Sequence, residues 1–266
     1  MRYTWIVDPH LDHLDEVELD AFCSTVAGET HDDGVTFVTG DISTAGRLDD
    51  HVGWLAVACR GRLLYVLGNH DRWGGSVSGT GKLLAACSSP TSKDVFMDAV
   101  PHVVLPDGTY VVGDSGWYDG RNGQQGAPML IMRDWFLVNE YVAADPRATS
   151  QAIADTCART LERKLNDACR LGAERVIVIT HVPPYPEAAR YMGKPSDGVG
   201  LPWFTSRATG DALDRVAAAN PRASFEVLCG HTHEHVHYRR ARNLNVRTGA
   251  ASYGAPSIVR WEPDLW

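Results

Sequence analysis

At 266 residues, with 44% hydrophobic and 22% charged residues, the chain can bury a substantial core and has the balance of an ordinary water-soluble globular protein. Its 25 Lys and Arg stand against 33 Asp and Glu, and the formal net charge of -8 gives no general field for polyanions, which disfavours long nucleic acids and anionic membranes as partners. The cysteines, Cys23, Cys59, Cys87, Cys157, Cys169 and Cys229, form no Cys-x-x-Cys pair, so small buried thiols in a reducing compartment are expected rather than disulfides or a zinc–thiolate knot. No stretch is apolar over enough length to span a bilayer, and the N-terminus enters a strand with no targeting pattern, so a cytoplasmic location is expected.

Residues 2–7 are rich in β-branched and aromatic side chains and read as a first strand, ending at Asp8-Pro9-His10. The proline favours an extended geometry in which residues two apart point the same way, so Asp8 and His10 are expected to aim at one point. Residues 11–29 place Leu14, Val17, Ala21, Phe22 and Val26 at roughly helical spacing, with the acidic residues on a solvated outer face. Residues 35–39 form a second strand ending at Gly40-Asp41, and residues 46–60 a second helix. The apolar run 63–67 is a third, buried strand that ends in Gly68-Asn69-His70-Asp71. Strand, helix, strand, helix, strand with apolar strands is the pattern of a parallel sheet. It sets Asp8, His10, Asp41, Asn69 and His70 along one edge.

Residues 76–99 read as helical with a break at Ser88-Ser89-Pro90, and 102–105 and 109–112 flank a hairpin turn at Pro106-Asp107-Gly108. Residues 115–128 are glycine-rich and irregular. Asp145 and Pro146 open a long helix as N-cap and first helical residue, and Gly172 closes it. Residues 175–180 form a strand that ends at His181. A proline- and glycine-rich excursion over 182–205 leads to a helix at 211–219 and a strand at 224–229, which ends in Gly230-His231-Thr232-His233. Segments near 236–240, 244–247 and 257–261 are expected to complete a second sheet. No repeat or linker interrupts the chain, and a single domain over 1–266 follows.

Five strand ends thus carry Asp-x-His, Gly-Asp, Gly-Asn-His-Asp, a lone His and Gly-His-x-His, in that order. Asn69 offers a neutral carbonyl oxygen to a hard metal, and His70 a proton exchangeable near neutral pH. With these motifs the chain, over residues 8–233, resembles the calcineurin-like metallophosphoesterase superfamily. The resemblance implies a mixed α/β fold, a four-layer αββα sandwich of two mixed β-sheets flanked by helices. It implies hydrolysis of a phosphomonoester or phosphodiester of a small substrate. By motif position it implies that Asp8, His10, Asp41 and His233 hold one metal and Asp41, Asn69, His181 and His231 the other, with Asp41 bridging. The ions would be divalent or mixed-valence manganese, iron or zinc. A hydroxide bridging them would attack phosphorus in line, and His70, beside the ligand Asn69 but outside the ligand set, is the candidate general acid for the leaving oxygen.

Two positions depart from the superfamily pattern. Thr44 stands where many members carry an aspartate that pairs with the catalytic histidine, and Ala45 where the protein-phosphatase branch has a phosphate-clamping arginine. The orientation of His70 must then come from Asp71, Asp49 or a backbone carbonyl. His235 and His237 continue the alternation from His233 and read as exposed histidines of an outer strand. Trp117, Tyr118, Tyr185, Tyr191, Trp203 and Phe204 are candidates to line a substrate cleft or to pack their own loops. Arg121 and Arg133 are candidate phosphate contacts or surface ion pairs. Two other functions stay open: a non-catalytic metal-binding scaffold on the same fold, and a nuclease, which would want a basic track beside the site.

Overall fold

The structure is a computed structural model that describes residues 1–123 and 129–263. Its strands are β1 (Tyr3–Ile6), β2 (Val35–Thr39), β3 (Arg62–Val66), β4 (Asp94–Phe96), β5 (Val103–Val104), β6 (Tyr110–Gly113), β7 (Arg175–Ile179), β8 (Arg190–Tyr191), β9 (Lys194–Pro195), β10 (Ser224–Cys229), β11 (Val236–Ala241), β12 (Leu244–Thr248) and β13 (Ile258–Trp261). Its helices are α1 (Glu16–Glu29), α2 (Leu48–Ala58), α3 (Lys82–Cys87), α4 (Asp134–Leu137), α5 (Pro146–Arg170), α6 (Leu201–Phe204) and α7 (Arg207–Ala219). None of the described helices is long and apolar enough to cross a membrane.

Two mixed sheets stack face to face. The first has the order β13-β1-β2-β3-β4, with β1 to β4 parallel and β13 antiparallel against β1. The second has the order β11-β12-β10-β7-β6-β5, parallel in its centre and antiparallel at both edges. Side chains alternate across each strand, so one strand feeds two cores. Ile177 and Ile179 of β7 point between the sheets, where they join Trp5, Phe37, Leu64 and Val66, whereas Val176 and Val178 point outward to Leu161 and Leu165 of α5 and Leu213 and Val216 of α7. On the far side of the first sheet, Ile6, Val38 and Leu63 pack on Phe22 and Val26 of α1 and Val52 and Leu55 of α2. The layers are therefore helix, sheet, sheet, helix. Strands buried on both faces read as unbroken apolar runs, which is why β1 to β3, β7 and β10 stood out in the sequence.

Several expectations need correction. Asp8 and His10 are not in an extended segment; both adopt left-handed backbone angles, with φ of 39° and 43°. The first helix starts at Glu16 behind a short 3-10 turn, and Asp15 and Glu18, exposed as expected, also form a reciprocal capping box. Val17, placed on the apolar stripe, is 77% exposed, and Leu19 takes the buried position. In 76–99 only Lys82–Cys87 is α-helical, Asp94–Phe96 is the edge strand β4, and Met97–Ala99 is a single 3-10 turn. The 211–219 helix begins at Arg207, capped by Ser206. The last strand, β13, joins the first sheet and not the second. The six thiols are unpaired, yet only Cys59 and Cys229 are buried and Cys87 is exposed. Of the irregular stretch 115–128, residues 124–128 lie outside the described residues.

Candidate metal centre

The carboxyl ends of β1, β2, β3, β7 and β10 meet at one edge of the sandwich, and the seven expected ligands sit there. Short backbone bonds tie neighbouring strand ends together: His10 N to Asp41 O at 2.9 Å, Leu11 N to Ile42 O at 2.8 Å and Gly230 N to His181 O at 2.9 Å. The bends needed to turn side chains back toward one point have a backbone cost. Of the seven non-glycine residues with positive φ among the described residues, five are Asp8, His10, Asp41, His231 and His233.

Donor atoms converge in two groups that share a residue. The ligand atoms of His10, Asp41 and His233 lie within 4.8 Å of one another, as do those of Asp41, His181 and His231. The Oδ2 of Asp41 is 3.8 Å from His10 Nε2, and its Oδ1 is 3.4 Å from His181 Nε2. Asp8, reached from the other side, has Oδ2 3.6 Å from His233 Nε2. Asn69 Oδ1 is 3.0 Å from both His181 Nε2 and His231 Nδ1.

The partners on the far side of His181, His231 and Asn69 show which of their atoms carry lone pairs into the centre. His181 Nδ1 faces Thr39 O at 2.8 Å, so its proton belongs there and Nε2 is left bare. His231 Nε2 faces Trp203 O at 2.9 Å, which leaves Nδ1 bare. The Nδ2 of Asn69 donates to Asp134 Oδ1 at 2.8 Å, which turns its oxygen inward. Three acceptors without a proton between them repel unless a cation lies among them. Asp8 Oδ1 is likewise buried without a hydrogen-bond partner. Burial, with mutual carboxylate repulsion, pushes Asp8 and Asp41 above the usual carboxylate range, and burial pushes His231 and His233 down to about 4. Neutral imidazoles and carboxylates short of positive charge are the donor set that a pair of transition-metal ions requires, so these residues fit the implied group.

His70 shares the centre without joining either group. Its backbone N donates to Asp41 Oδ1 at 2.9 Å, and its Nε2 is 3.9 Å from Asp41 Oδ2. Neither carboxylate named for it orients the ring. Asp71 accepts from the backbone N of Ser43 and of Gly68, each at 2.7 Å, and so clamps two strand-end loops together; Asp49 lies exposed on α2. The ring is instead stacked on Trp73, centroids 3.6 Å apart and planes 25° apart.

A cleft of about 470 Å³ opens onto the centre. Its walls are Trp73, Leu130, Ile131, Met132, Phe204 and Tyr253, and it also receives Tyr191 and Arg133. Of the aromatic candidates, Tyr191 and Phe204 face this cleft, whereas Trp117, Tyr118, Tyr185 and Trp203 are buried packing residues. Arg121 is an ion-pair residue, bound to Asp119 and Asp155, and does not line the cleft. His235 and His237 are exposed and belong to neither donor group. Sequence reasoning missed Asp134, Trp73 and Tyr253. Asp134 lies next to Arg133 in a segment with no motif, and its role shows only through the two donors that reach it.

The fold and the site together define a metal-dependent hydrolase. The calcineurin-like phosphoesterase profile matches residues 1–235, and the chain belongs to that family. Phosphopantetheinyl hydrolase from Mycobacterium tuberculosis superposes with a TM-score of 0.66 at 16% identity, over 95% of this chain and 90% of that one. A dimetal phosphatase from Danio rerio superposes with a TM-score of 0.55 at 14% identity, over 94% and 87%. At such identities these likenesses speak for the fold. No curated protein matches the chain.

Proposed function

We propose that the chain hydrolyses a phosphomonoester or phosphodiester of a small substrate at a dinuclear centre held by Asp8, His10, Asp41, Asn69, His181, His231 and His233. The observation that carries this reading is Asp41, whose two oxygens face separate histidine clusters. Two divalent cations of manganese, iron or zinc would activate water and neutralise charge on the phosphoryl oxygens. The chain's own part is to present bare donors, to place His70 beside the reacting phosphorus and to shape the cleft. Burial and the neighbouring imidazoles hold His70 below the usual histidine range; an anionic ester arriving beside it favours the protonated form, from which Nε2–H serves the leaving oxygen.

The cleft bears on the substrate. Its apolar and aromatic walls suit an ester whose leaving group has a flat or aliphatic portion, and the Arg133 guanidinium, 4.7 Å above the Trp73 ring, suits an additional anionic group. The deciding experiment strips the protein of metal, reconstitutes it ion by ion, and assays aryl and alkyl phosphate mono- and diesters. Turnover with at least one ion supports the reading; two bound ions with no turnover on any ester would assign the chain to a scaffold.

A further inference from the structure

We propose that Trp73 and Asp134 take the place of the missing carboxylate partner of His70, acting as positioning residues for it and, through the same carboxylate oxygen, for the ligand Asn69. The inference rests on the reading of His70 as proton donor and goes beyond it. The family pattern would orient this histidine with an aspartate where this chain has Thr44, and Asp71 is committed to two backbone amides. His70 Nδ1 is buried with no hydrogen-bond partner, so no polar contact fixes the rotation of the ring. What fixes it is a plane. Trp73 stacks on it at 3.6 Å, and the His10 ring meets it edge-on at 4.7 Å. In that plane Nε2 faces the donor cluster, 3.9 Å from Asp41 Oδ2.

A stacked plate fixes its neighbour more closely when it is itself held. The Trp73 Nε1 donates to Asp134 Oδ1 at 3.1 Å, and its backbone N donates to His70 O at 2.9 Å. That same Asp134 Oδ1 accepts Asn69 Nδ2 at 2.8 Å. Asp134 is 1% exposed, and charge-assisted bonds in such surroundings are short, directional and slow to exchange with water. One oxygen therefore sets the turn of a ligand amide and the tilt of the indole that sets His70. It opens the chain's short helix α4, so the loop that walls the cleft also braces the centre.

The test is leaving-group dependence, measured as kcat/KM across aryl phosphates of falling acidity, together with metal stoichiometry on metal-titrated protein. His70→Ala should cost about 100-fold on the poorest leaving group and little on the best. Trp73→Leu should reproduce that steepening in part, about 10-fold on the poorest, with two ions still bound, and should add nothing in a His70→Ala background. Trp73→Phe, which keeps the plate and loses the Nε1 donor, should fall between Trp73→Leu and the parent. Asp134→Ala should both steepen the dependence and weaken metal binding, because it releases Asn69 as well. A steep His70→Ala with a flat Trp73→Leu overturns the positioning role and leaves the proton-donor reading standing; flat responses from both overturn the two together. Trp73→Phe as damaging as Trp73→Leu, or metal loss in Trp73→Leu, also overturns it, since either shows general packing damage.

Discussion

The Asn69 side-chain amide donates to Asp134 Oδ1 at 2.8 Å, and this bond decides which end of the amide meets His181 and His231. An amide oxygen and an amide nitrogen are nearly the same size, so shape alone does not choose between them. Asn69→Asp removes the donor and sets one buried carboxylate against another. The unfolding free energy of the metal-free protein should fall by about 1–3 kcal/mol. Adding Asp134→Asn restores a donor to the pair but turns an amide N–H toward Trp73 Nε1, so it should recover only part of that loss, which urea denaturation of the four proteins measures as a double-mutant cycle.

Glycine precedes a candidate ligand in three motifs, Gly40-Asp41, Gly68-Asn69 and Gly230-His231, and in the last two the reason is a neighbouring carboxylate. A Cβ at Gly230 would overlap the Asp8 carboxylate, and one at Gly68 would overlap that of Asp41. Gly230→Ala leaves every ligand in the sequence and displaces one in space, and metal affinity should drop about 10–100-fold in a competition titration, the range for disturbed support of a metal ligand. Gly53→Ala is the control. It sits inside α2 with nothing near its Cβ position, and should raise stability by about 0.5–1 kcal/mol with metal binding unchanged.

If Asp41 is shared, its loss differs in kind from the loss of any histidine. Asp41→Ala should empty both positions, whereas His181→Ala and His233→Ala should each leave about one equivalent bound, because each belongs to one donor group. Elemental analysis after gel filtration reads the difference. A single lost equivalent in Asp41→Ala would remove the bridge from the reading.

Acid should destabilise the metal-free protein through its buried imidazoles. Burial lowers His233 to about 4, from 6.5 in an unfolded chain. Its contribution is present above 6.5 and is lost as pH falls through about 4, because the unfolded chain takes up the proton first. Asp8 and Asp41 titrate with the opposite sign, since their pKa values are raised and the folded form holds the extra protons. A difference measurement separates them. Between pH 7 and pH 4, in chelator, the parent should lose on the order of 1–3 kcal/mol more than His233→Gln, measured by urea denaturation at each pH.

The donor set was readable in the sequence because its chemistry is concentrated: Asp, His and Asn at the ends of apolar runs, in a fixed order. Each such run is a strand buried on both faces, so apolar continuity and parallel pairing came from the same cause. The supports were not readable. Asp134 precedes Trp135-Phe136-Leu137 in a segment without periodicity, and it matters only because Asn69 and Trp73, 65 and 61 residues away, both reach it. Ser88-Ser89-Pro90 signalled a helix break correctly, but three residues of β4 are too few for alternation to show, and Asp94–Phe96 was lost inside a helical reading. The strand β13 was recognised and misassigned, because nothing local tells a terminal strand which of two sheets will take its edge.

The left-handed backbone at Asp8, His10, Asp41, His231 and His233 also constrains how the chain can drift over generations. Those five sites are ones where glycine, or failing that asparagine, would relieve torsional strain, by roughly a kcal/mol at each. Once catalysis ceased to matter, random substitution there would be rewarded by firmer folding, and the acidic and imidazole side chains would be among the first to go. The torsional cost at those five sites is one that only the work of their side chains can offset.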